Sequence, residues 1–396
     1  MEILRNIIKT AQRELIIISK SKMMLGLLIL IPAAIFFVMI NIYRFELVRD
    51  LPVAVCDNDN SATSRLITRY LDAASSMKIT EKLTSLNEIK EAFRNGKIEG
   101  AVYFPQNFEK DVKSSGQSTV VFYKNTANII VGNLLFKDAS TVVKTVSAGV
   151  VIKKLRSKGF GYERSLNVAN PIKIETQSLY NPNYSYLTYL VPGVLTCTLQ
   201  MIIMLGSILV INSEFKNGTF GELYLANGKN SFVLLAGKMF PYTIYFLFLS
   251  FLTVFAVMPL VGISPAGSAW KVVFLIIPFV LACQVFGIFL SALIKNEIMS
   301  VETVLIFNTP CFIFSGFTFP LWSMPAIHNI FAQLMPFTHF LYGFLDLFQM
   351  DVPFSNAIPE MLRLLLFIII LFPATYFLVR YEGKKIVEAG LQQDIL

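Results

Sequence analysis

About 140 mostly polar residues, 44–183, lie between one hydrophobic stretch and a dense block of five more, and this layout constrains the fold more than any other feature. A helix needs about 20 apolar residues to cross a hydrocarbon core roughly 30 Å thick, with every backbone polar group satisfied inside it. Six stretches meet that requirement, at 23–43, 184–211, 232–259, 272–294, 298–319 and 361–379. The chain is 55% hydrophobic with 35 Phe and has a mean hydropathy of +0.60, above the roughly 45–50% apolar content of soluble domains. The expected fold is an α-helical polytopic membrane protein with six transmembrane helices and one large domain on a single side.

The first stretch reads as an uncleaved anchor, because its flank Asn41-Ile42-Tyr43-Arg44 offers no small-residue cleavage site. Short loops retained in the cytoplasm carry the excess of lysine and arginine. Arg5, Lys9, Arg13, Lys20 and Lys22 precede the first stretch, Lys216, Lys229 and Lys238 belong to the second-to-third connection, and Arg380, Lys384 and Lys385 follow the last. Between Lys295 and Arg363 there is neither residue type. Both termini are therefore expected in the cytoplasm and the large domain outside it. The formal charge of +8 is mostly this retention signal, with attraction to anionic headgroups of the lipid membrane. The basic residues form no stripe with interleaved aromatics, which argues against nucleic acid. Cys56 stands alone in the outer domain, which excludes a disulfide within it, and no paired-Cys zinc spacing occurs.

Residues 1–22 place Ile3, Ile7, Ile8, Leu15 and Ile18 among Arg5, Lys9 and Arg13, either as an amphipathic helix on the inner membrane surface or as a plain retention signal. The 44–183 domain alternates strand-like runs at 51–55, 100–104, 120–123 and 172–176 with helix-like runs at 63–74, 86–95 and 128–158. This pattern predicts an α/β sheet covered by helices. Asp57 and Asp59 suggest either a metal site or an Asx-type turn that caps the next helix, and the turn is the better fit.

The five-helix block, 184–380, contains two unusual connections, and a tail at 381–396 follows it. The loop 212–230 has room for one small surface helix, with Thr219 and Glu222 at capping-box spacing and Leu223 supplying an apolar contact. The region 320–345 is too apolar for a solvated loop yet is broken by Pro320, Pro325 and Pro336, so it is expected to dip into the outer leaflet as re-entrant helices. Broken backbone at that depth is tolerated only where protein or a water-filled cavity covers it, which points to a pathway or gate. Glu302, about one turn into the fifth stretch, is either an intramembrane functional charge or, near the cytoplasmic end, a side chain that snorkels or pairs with Lys295. Met201, Met204 and the Phe-rich third stretch read as an adaptable lining for an apolar substrate or as packing.

Three motifs, in this order and placement, resemble the ABC-2 family of ABC exporter permeases. They are Tyr180-Asn181-Pro182 followed by Pro192-Gly193, the run from Glu214 through Gly218-Thr219 to Leu223, and Ser315-Gly316 through Pro320 to Met324-Pro325. The outer domain, with Pro52-Val53-Ala54-Val55 and then Asp57 to Arg65, is similar to the large domain of the drug-efflux subfamily. The resemblance covers essentially the whole chain. It implies the permease subunit of an ATP-driven exporter in a bacterial inner membrane, with the large domain periplasmic, moving a hydrophobic or amphipathic compound outward. It also implies a dimer with a second copy or close homologue, and leaves open a periplasmic adaptor. Glu214, Gly218, Thr219, Glu222 and Leu223 would couple to separate ABC ATPase subunits that carry ATP and Mg, and Ser315, Gly316, Pro320, Met324, Pro325 and Pro336 would form the outer gate. Many members carry an arginine after the Pro-x-Thr element, where this chain has Gly343 and Asp346. Export of a lipid or polysaccharide, or a receptor or scaffold role for the outer domain, are the alternatives.

The residues themselves agree on the energy supply. No Gly-x-x-x-x-Gly-Lys-Ser/Thr occurs, so active transport would need a partner ATPase, and no cofactor or metal is expected on this chain. No His-Glu-x-x-His or Gly-x-Ser-x-Gly is present either, so no catalytic residue is expected. His328 and His339 are read as interfacial residues or proton relays.

Overall fold

The computed structural model describes residues 2–43, 48–114, 116–169, 179–182 and 185–393. The chain forms two compact units, Phe45–Tyr186 and the combination of Met1–Arg44 with Leu187–Leu396. The second unit begins with α1, Glu2–Lys20, and the apolar helix α2, Gly26–Ile42. The apolar run of α2 is shorter than the other spans, so among the described residues five helices rather than six are long and apolar enough to cross a membrane by length and composition.

The Phe45–Tyr186 unit runs β1 (Leu51–Asp57), α3 (Ala62–Asp72), β2 (Met77–Leu83), α4 (Leu86–Arg94), β3 (Gly100–Phe104), α5 (Phe108–Lys113), β4 (Val121–Lys124), α6 (Ile129–Ser157) and α7 (Tyr162–Ala169). Its sheet has the order β2-β1-β3-β4, with β1 parallel to both neighbours and β4 antiparallel to β3. Alternation along β1 sorts the side chains between two faces. Val53 and Val55 join Ile67 and Leu71 of α3 and Leu135 of α6, while Ala54 and Cys56 join Ile89 and Ala92 of α4. Helices α3 and α4 thus cover opposite faces. The α/β expectation holds and the helices at 63–74, 86–95 and 128–158 are present. However, β2 is a strand the sequence reading lacked, and the strand expected at 172–176 lies outside the described residues.

The turn after β1 is of the Asx type. The Asp57 carboxylate accepts from the Asp59 and Asn60 amides at 3.1 and 2.9 Å and from the Ser64 hydroxyl at 2.6 Å. Ser61 and Ser64 bond reciprocally at the start of α3.

The membrane block follows with α8 (Tyr186–Asn217), α9 (Phe220–Ala226), α10 (Ser231–Leu260), α11 (Ala269–Ile294), α12 (Glu297–Phe314), α13 (Ala326–Gln333), α14 (Pro336–Phe344) and α15 (Ile358–Gln393). Most of α8 and α11 is buried, whereas α12 and α15 turn most of their surface outward. The two central helices are joined by Ser291, whose hydroxyl donates to the Ile208 carbonyl at 2.7 Å and accepts the Asn212 amide at 3.0 Å. The last helix does not stop with its apolar run: the expected tail from 381 onward continues it to Gln393.

Candidate functional site

The loop after α8 is built around one glutamate. Gly218 takes a φ of +68°, the left-handed conformation that ends helices and that glycine adopts without a Cβ penalty. This turn brings the Thr219 amide to the Glu214 carbonyl at 3.0 Å and the Thr219 hydroxyl onto the Glu214 carboxylate. The expected capping box between Thr219 and Glu222 does not form, because Thr219 has helical dihedrals and makes no side-chain cap. The Thr219 hydroxyl instead donates to the Glu214 carboxylate, a charge-assisted bond.

The short helix α9 buries Phe220, Leu223 and Tyr224 and leaves Glu222 and Leu225 exposed. Tyr224 lies flat against Gly383 of α15, where a Cβ would stand 2.6 Å from the ring. Leu223 is therefore a core side chain, and the surface of α9 open to a partner carries Glu222 and Leu225.

Beneath α9 lies a buried charge cluster that sequence reasoning did not assemble. Arg13 donates two bonds to Glu214, at 2.6 and 3.1 Å. Lys238 of α10 approaches Glu214 at 2.6 Å and Glu14 at 2.9 Å, and the Tyr242 hydroxyl donates to Glu14 at 3.1 Å. Lys238 and Glu14 are fully buried and Glu214 is 2% exposed. Two cations and two carboxylates balance, so no net charge is left in a low-dielectric site, which would otherwise be costly. Burial pushes the Glu14 carboxyl above its ordinary range, against the pull of Lys238. Thr10 adds a bond to Asn227 at 2.9 Å. The result ties α1, the end of α8, the loop into α9 and α10 into one knot. Gly237 allows it, because a Cβ there would stand 2.6 Å from Thr10. The surface-helix reading of 1–22 gives a helix, yet one that buries Thr10, Ala11 and Glu14 against protein. The missed signal was Lys238 itself, a charge inside the apolar run 231–260 that had been counted as a loop residue.

At the other end of α8, Gly193 and Tyr189 meet Phe317, with stacked Tyr189 and Phe317 rings 5.0 Å apart and no room for a Cβ at Gly193. Ser315 is buried, its hydroxyl bonded to the Phe312 carbonyl at 3.0 Å, and Gly316 turns the chain at a φ of +89°. Pro320 precedes a short 3-10 turn, Met324 and Pro325 lead into α13, and Pro336 opens α14 at a position whose missing N–H costs nothing. Trp322, Ile327, Ile330 and Leu334 point outward from this region, the apolar exterior expected of it. His339 is buried, with Nδ1 2.9 Å from Glu360 and Nε2 3.0 Å from the Gln333 carbonyl, so it pins α14 to α15. His328 stacks on Phe314 with ring centroids 5.5 Å apart. A Cβ at Gly343 would stand 3.1 Å from the Leu275 side chain.

The expected pairing of Glu302 with Lys295 does not occur. Lys295 bonds Glu382 at 2.6 Å, and Glu302 is exposed on α12, one of the outward-facing helices. Met204 is buried in the core and Met201 half-buried.

A bundle of long apolar helices whose first central member ends in a charge-rooted surface helix has the make-up of a multi-pass membrane protein. The chain belongs to the ABC-2 family transporter proteins, whose model matches residues 22–377. It is 22% identical over 293 residues to the probable multidrug ABC transporter permease YbhR of Escherichia coli K12, covering 74% of this chain and 76% of that one. It is 23% identical over 288 residues to the probable multidrug ABC transporter permease YbhS of the same organism, covering 70% of each.

Proposed function

We propose that this chain is the permease subunit of an ATP-driven exporter that moves a hydrophobic, drug-like or amphipathic compound out of the cytoplasm or inner leaflet. Separate ABC ATPase subunits, carrying ATP and Mg, dock on the exposed face of α9. Their closure pushes α9, and the knot around Glu214 passes the push to α1, α8 and α10. Two permease copies, or this chain and a close homologue, enclose the path, and the region from Ser315 to Pro336 closes its outer end. Both termini lie in the cytoplasm of a bacterial inner membrane, with the α/β unit on the other side, where a periplasmic adaptor has a surface to join.

The observation that carries this reading is the buried cluster of Arg13, Glu14, Glu214 and Lys238 rooting a seven-residue surface helix, a costly arrangement for a passive loop. The relatives' names support the class of cargo. The test is co-purification with the ATPase from native membranes, together with efflux. Glu222→Arg with Leu225→Glu changes only exposed side chains, so the protein accumulates normally while ATPase recovery and efflux are lost. Normal ATPase recovery with this variant rejects α9 as the docking surface.

A further inference from the structure

The outer unit holds a crevice that the export mechanism does not use. It opens over the carboxyl end of β1, in a sheet whose order is β2-β1-β3. The connection leaving β1 runs through α3 to β2 on one side, and the connection leaving β2 runs through α4 to β3 on the other. In parallel sheets of this winding the loops part at the carboxyl ends of the strands, and ligands bind in the gap they leave. The gap here has a volume of about 960 Å³, within the range of small-molecule sites.

Its lining has one sign of charge in excess. Arg65 and Arg69 stand one turn apart on α3, and Lys82 reaches in from the end of β2. Arg65 is steadied by a bond to the Asn60 carbonyl. Arg69 and Lys82 have no carboxylate partner among the described residues. The nearby acids are engaged elsewhere: Asp57 by two amides and Ser64, Asp72 by the Ile79 amide at 2.8 Å, and Glu88 by Thr84. Asp57 and its turn also occupy the start of α3, so an anion must seat on the three cationic side chains rather than on helix amides. Around them, Asn58, Thr68 and Gln106 offer neutral hydrogen-bonding groups.

We propose that this crevice binds a small hydrophilic oxyanion, a polyol or sugar bearing a phosphate or carboxylate, with Arg65, Arg69 and Lys82 on the charged group. The chemistry is shared by a soluble solute and by the headgroup of an anionic lipid. The proposal does not depend on the transport reading.

The experiment is calorimetric titration of glycerol phosphate into the full-length protein in phosphatidylcholine nanodiscs. Saturable binding is expected, weakened at least about tenfold in Arg69→Ala/Lys82→Ala, which removes two charge-assisted contacts. Both side chains are exposed, so the variant folds. Lys78→Ala/Lys90→Ala removes the same charge outside the crevice and leaves binding unchanged. Repeating the titration in nanodiscs containing phosphatidylglycerol separates the sources: suppressed binding assigns the site to a lipid headgroup, and unchanged binding assigns it to a soluble solute. No saturable heat, or equal weakening by the two double variants, overturns the proposal.

Discussion

The two ends of α8 are held in opposite ways. Glu214 sits among two cations and a hydroxyl within a knot of four ionisable side chains, whereas Tyr189 and Gly193 rest on Phe317 through ring contacts and one long hydroxyl bond of 3.4 Å. Twenty-five residues separate Tyr189 from Glu214, about 37 Å of helix. Directional bonds between buried charges resist displacement, because any slip leaves a charge unpaired. Ring contacts have many offset arrangements of similar energy. The lesson is mechanical: the Glu214 end is built to move as one body with α1, α9 and α10, and the Phe317 end to rearrange against its neighbours.

The sharpest way to break this contrast is Lys238→Ala, which strands Glu14 and reduces Glu214 to one cation. It should cost about 3–5 kcal/mol, read as a collapse in thermal stability of the purified protein. Replacing Lys238 by Met together with Glu14 by Leu leaves the Arg13–Glu214 pair balanced and should restore most of that loss, since apolar replacement of a buried pair is often neutral. Persistent instability in the double variant would show that packing rather than charge balance holds the knot. A smaller effect is expected from Phe317→Ala, about 1–3 kcal/mol from lost apolar area and ring contacts. If its melting temperature falls as far as that of Lys238→Ala, the two ends are equally fixed and the contrast fails. The smallest change is expected from Glu302→Gln, within about 0.5 kcal/mol for an exposed side chain. Efflux that drops while stability holds would place Glu302 on the transport route.

Much of the architecture was legible because it rests on apolar run length. The stretches at 184–211, 232–259 and 272–294 reappear as α8, α10 and α11 with longer ends. Strand β2 was not legible, since Glu81 falls where the alternation of Met77, Ile79 and Leu83 calls for an apolar residue, and the strand lies at the sheet edge. At the candidate site, the spacing of Glu214, Gly218 and Thr219 was readable, but its meaning was not. The spacing of Thr219 and Glu222 reads as a helix cap, and only folding brings Arg13 and Lys238, 225 positions apart in sequence, onto the Glu214 carboxylate. Arg13 and Lys238 read as ordinary retention charges because composition cannot distinguish a solvated charge from a paired one. Leu223 looked like a docking contact for the converse reason, since nothing in a seven-residue helix says which face its neighbours already cover.

Tyr224 against Gly383 gives α9 a second attachment point. Whatever displaces α9 is felt by α15 more than twenty residues beyond the start of that helix's apolar run, so the far stretch of the chain is a brace rather than an appendage. Cutting it before Gly383 would unfasten the surface helix from behind while leaving every atom of its exposed side untouched.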